Sequence, residues 1–131
     1  MQREKVDEAG VRIIKNLEIS RREHTKKIEG RFLRLLGEVQ MKRNEFDRAI
    51  SSISEAILIL KEVGNPRQLW EVHASLALVY DKLRRESEAR EQRGAAVELI
   101  HKTANSLSDR NLREGFLNAK PIREILAKAG S

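Results

Sequence analysis

The chain has 131 residues, of which 40% are hydrophobic and 35% charged, with a formal net charge of +6 and no cysteine. That is one domain's worth of polymer with enough apolar matter for a core, and it excludes both a disulfide framework and a thiolate metal site. The longest apolar run, Ala56 to Leu60, falls far short of the ~20 residues that a membrane-spanning helix needs, so no membrane partner and a cytoplasmic setting are expected.

Aromatic residues make up only 4% of the chain, which leaves the core to Leu, Ile, Val and Ala. Two prolines and seven glycines leave long stretches without a breaker. Those stretches suit helices and argue against a many-turned sandwich, so the fold class expected is all-α.

Along the chain, Val6, Ala9, Gly10, Ile13 and Leu17 form an early helical stripe, and Ile28, Phe32, Leu35, Leu36 and Val39 a second. The polar segment between them, Glu18 to Lys27, has no proline. A turn is expected at His24-Thr25-Lys26, with one continuous helix as the alternative. From Asn44 onward Phe46, Ala49, Ile50, Ile53, Ala56, Ile57, Leu60 and Val63 advance in steps of three and four. Asn44 is expected to cap that helix and Asp47 to favour its positive end.

Gly64-Asn65-Pro66 supplies a left-handed stop followed by a proline that opens the next helix. This successor carries Leu69, His73, Leu76, Ala77, Tyr80 and Leu83 on one stripe and Val72 and Val79 on a neighbouring one. Trp70, the only tryptophan, is expected to pack against the preceding helix. A third long helix, roughly Glu86 to Ser106, shows Ala89, Ala96, Val97, Ile100 and Ala104, with Leu107 just beyond. Gly94 in its middle costs about 1 kcal/mol relative to Ala and signals either a close backbone approach or an exposed position. Ser108 or Asp109 is expected to cap a short helix burying Leu112, Phe116 and Leu117, and Pro121 to open another burying Ile122, Ile125 and Leu126.

These segments repeat. Ala9, Ala49 and Ala89 lie 40 residues apart, and Gly37 and Ala77 each follow an alanine of that set by 28. A period in this range is the mark of stacked helical hairpins. One copy reads Leu33, Leu36-Gly37, Gln40, Ala49, Ile53 and Ala56, and the next reads His73, Leu76-Ala77, Tyr80, Ala89, Arg93 and Ala96.

This pattern resembles the tetratricopeptide repeat, in its longer form of about 40 residues as found in large bacterial and archaeal signalling regulators. Gln40 stands where an aromatic is usual and Arg93 where a large apolar residue is usual. The resemblance implies a right-handed superhelix of antiparallel hairpins. Residues 1–23 would be the second helix of an incomplete repeat, 24–63 and 64–105 two full repeats, and 106–131 a C-terminal cap. It further implies a piece of a longer protein, with that repeat's first helix lying upstream of Met1.

The resemblance also implies a protein-interaction scaffold rather than an enzyme, with no cofactor and no metal. The groove of such an array is lined by the first helices, here Arg31, Arg34, Glu38 and Lys42 from one repeat and Glu71, Ser75, Leu78 and Lys82 from the next. The expected partner is a protein or peptide, including another domain of the same chain, and a homodimer built on the incomplete repeat is an alternative. The basic balance invites nucleic acid as a further alternative. It is disfavoured because the cations alternate with acids, as in Arg21-Arg22-Glu23, and no aromatics are interleaved with them. His24, His73 and His101 lie far apart, and the chain carries no Gly-rich phosphate loop and no H-E-x-x-H.

Overall fold

The computed structural model describes residues 2–130, and among them there are seven helices and no strand. They are α1 (Gln2–Arg22), α2 (Lys26–Lys42), α3 (Phe46–Val63), α4 (Pro66–Lys82), α5 (Glu86–Asn105), α6 (Arg110–Asn118) and α7 (Lys120–Gly130). Two compact units divide the chain, residues 1–65 with α1 to α3 and residues 66–131 with α4 to α7.

The helix ends keep a strict rhythm. Positive φ angles occur at His24 (58°), Asn44 (61°), Gly64 (76°) and Arg84 (57°), one every twenty residues. At three of these stops the same turn is built. The N–H groups of Thr25, Glu45 and Arg85 donate to the carbonyls of Ser20, Gln40 and Tyr80 at 3.0, 2.9 and 2.9 Å. That bond spans the left-handed residue and satisfies a carbonyl the helix end would leave open. The same residues then start the next helix, their own carbonyls accepting from Glu29, Ala49 and Ala89 at 2.9, 3.0 and 3.0 Å. The polar segment around His24 is therefore a turn, not a continuous helix.

Asn44 does not cap α3. Its place is the left-handed residue that stops α2, and Glu45 occupies the cap position with no side-chain hydrogen bond to the helix. The physical reason is that asparagine tolerates φ > 0 as readily as it caps, and here the turn needs the former.

In the first unit, α2 and α3 form a hairpin that closes where side chains vanish. Ala49, Ile53, Ala56 and Leu60 of α3 have no exposed surface, and Leu33 of α2 is 2% exposed. A side chain at Gly30 would begin 2.5 Å from Leu60 Cδ2, so α2 comes this close only because residue 30 is glycine. Ser52 donates to Gln40 Oε1 at 2.7 Å, which gives the buried hydroxyl a partner and a physical reason for glutamine at this position. α1 covers α2, burying Leu17 and Ser20, the latter bonded to the Leu17 carbonyl at 2.9 Å. On the surface of this unit, an ion pair with Glu62 raises the Lys26 pKa through its hydrogen bond first and its charge second.

The second unit repeats the hairpin in α4 and α5, each beginning 40 residues after its counterpart, with Ala89, Ala96 and Ile100 fully buried. Both stripes of α4 are covered, Leu76 and Ala77 on one and Val72 and Val79 on the other. Two positions change character. His73 Nδ1 donates to Gln92 Oε1 at 2.8 Å where the first hairpin has Leu33 and Ser52, and Arg93 meets Asp81 at 2.7 Å where it has Ile53 and Met41.

Beyond α5 the chain turns at Leu107, whose carbonyl accepts two bonds from the Arg113 guanidinium at 3.2 and 2.9 Å. Asp109 caps α6 by accepting from the Leu112 N–H at 3.0 Å. Phe116 and Leu117 of α6 and Ile125 and Leu126 of α7 then pack on a cluster of Trp70, Ala96, Ile100 and Ile122. Leu112, expected to be buried, is 65% exposed: it lies one turn before Phe116 on the same stripe of α6, and the side chains of that helix packed on the cluster are Phe116 and Leu117. Trp70 meets Phe116 edge to face, with ring centroids 5.7 Å apart, so its aromatic partner follows it in the chain.

Candidate partner-binding surfaces

The residues that line a groove in the repeat reading divide between the two units. On α2, Arg31 and Lys42 are exposed, while Arg34 and Glu38, one turn apart, close an ion pair at 2.6 Å with both side chains half-buried. A partner carboxylate directed at Arg34 has to share the guanidinium with Glu38, which leaves Arg31 and Lys42 as the more open donors. On α4, Glu71 accepts from Arg67 at 3.1 Å, Leu78 is 40% exposed and Lys82 is exposed. Ser75 is buried at 8% exposure and offers no open hydroxyl. Each helix thus presents a mixed-charge strip, and α4 adds one apolar contact at Leu78.

The structure also carries a cavity that the sequence reading did not anticipate. It measures about 510 Å3 within the second unit and lies where the end of α4, the outer face of α5 and the end of α7 meet. Arg90, Arg93 and Lys128 line it with Asp81 and Glu86, and Gly94 and Val97 form an uncharged stretch of wall. A side chain added at Gly94 would meet nothing within 4 Å, so the glycine marks open space and not a close backbone approach. The available signal was the 40-residue register itself. Arg90, Arg93 and Gly94 stand where α3 has Ile50, Ile53 and Ser54.

No helix among the described residues is long and apolar enough to cross a membrane, and no group of three or more His, Asp or Glu residues among them converges to hold a metal ion. His24 sits at the left-handed turn before α2, His73 in the second hairpin and His101 exposed on α5, so they do not meet. No protein-family model matches the chain, and neither a curated protein nor a solved structure does.

Proposed function

We propose that this chain is a protein-interaction scaffold of tetratricopeptide type, not an enzyme, serving a cytoplasmic regulatory protein. The observation that carries this reading is the left-handed residue that recurs every twenty positions at His24, Asn44, Gly64 and Arg84, between hairpins of matched length with small residues at matched places. Repetition of this kind is the economy of a surface assembled from modular units, and recognition is its common use. In this reading α2 and α4 are the partner-facing helices. Arg31, Arg34 and Lys42 attract acidic side chains, Glu38 and Glu71 reject them, and Leu78 supplies an apolar contact.

The test is capture of a partner by the wild-type chain and by Arg31→Glu/Lys42→Glu. Both positions are exposed, so the variant keeps its helix content, and partner capture is expected to fall severalfold. Undiminished capture removes α2 from the recognition surface.

A second reading, self-association, is favoured by Val11 and Ile14, which lie one turn apart on α1 and are 68% and 47% exposed. Sedimentation over a range of concentrations separates it from the first. A dimer dissolved by Ile14→Lys supports it, and a monomer throughout removes it.

A further inference from the structure

We draw no further inference here: the strongest candidate, the exposed apolar pair Val11 and Ile14 on α1, belongs to the self-association reading already given, and nothing in the structure shows what covers it.

Discussion

Ile53 fills the space in which a side chain at Gly37 would begin. A Cβ there would lie 2.8 Å from Ile53 Cδ1, closer still to Cγ1, and 3.3 Å from the Ala49 carbonyl oxygen. Two effects compete in Gly37→Ala. Helix propensity gains about 1 kcal/mol, whereas overpacking a closed core costs ~1–3 kcal/mol. The backbone oxygen behind Ile53 limits relaxation, so overpacking wins and urea denaturation should show a net loss. In an Ile53→Ala background, itself costing ~2–5 kcal/mol, the same Gly37→Ala change should be neutral or stabilising. That reversal of sign is the signature of direct coupling.

Left-handed turns made without glycine offer a second measurement. An L-residue in that conformation costs roughly 1–2 kcal/mol, while glycine adds ~0.4–1 kcal/mol of unfolded-state entropy. Arg84→Gly and His24→Gly should therefore each stabilise the chain by about 0.5–1 kcal/mol, difference of those two terms. Asn44→Gly should gain less, since asparagine tolerates the conformation. Gly64→Ala should move the thermal midpoint the opposite way. A melt in which Gly64→Ala is neutral would show that φ = 76° at Gly64 is not what ends α3.

These turns also mark what the sequence could announce. Gly64 and Pro66 advertise their boundary by their own chemistry, and Pro121 sits in the first turn of α7 as expected. Arg84 carries no such signal, because arginine does not favour φ > 0, and the modest enrichment of histidine in that region is too weak by itself to announce a turn at His24. Only the 40-residue register placed a break at His24. Asn44 misled because one residue type suits both a cap and a left-handed stop. The all-helical class was legible from spacing, whereas burial on the short helices was not. Leu112 and Phe116 share one stripe of α6, and which of them meets the cluster depends on where Trp70 and Ile122 lie. Ser75 failed as a surface residue for a related reason, since stripe position alone does not fix which side of α4 is covered. The cavity was written in the difference between repeats rather than in either one, at Ile50 against Arg90 and Ile53 against Arg93.

Trp70 reports on the terminal helices. It is the sole tryptophan, 6% exposed and edge to face with Phe116. Phe116→Ala should shift its fluorescence to the red and expose it to quencher, with a stability loss of about 2–3 kcal/mol because Phe116 is only half-buried. Ile122→Ala, at a site 6% exposed, should cost ~2–5 kcal/mol and produce the same shift. An unchanged emission spectrum in both variants would place α6 and α7 away from Trp70 of α4.

The Arg93–Asp81 pair can be replaced by what the first hairpin uses. Asp81→Met alone strands a guanidinium that is only 19% exposed, and the loss falls between the ~1 kcal/mol of an exposed pair and the ~3–5 kcal/mol of a buried one. The double change Asp81→Met/Arg93→Ile copies Met41 and Ile53, yet it sets an isoleucine opposite Ala77 where the first hairpin has Gly37. Steric crowding like that which a Cβ at Gly37 would meet should make this double variant no better than the single. Adding Ala77→Gly completes the copy and should recover stability to wild type or above, since a partly buried ion pair contributes little over well-packed apolar atoms. Equilibrium denaturation of the series checks the order. If the triple variant is no more stable than the double, the two hairpins do not share one packing scheme around residues 53 and 93.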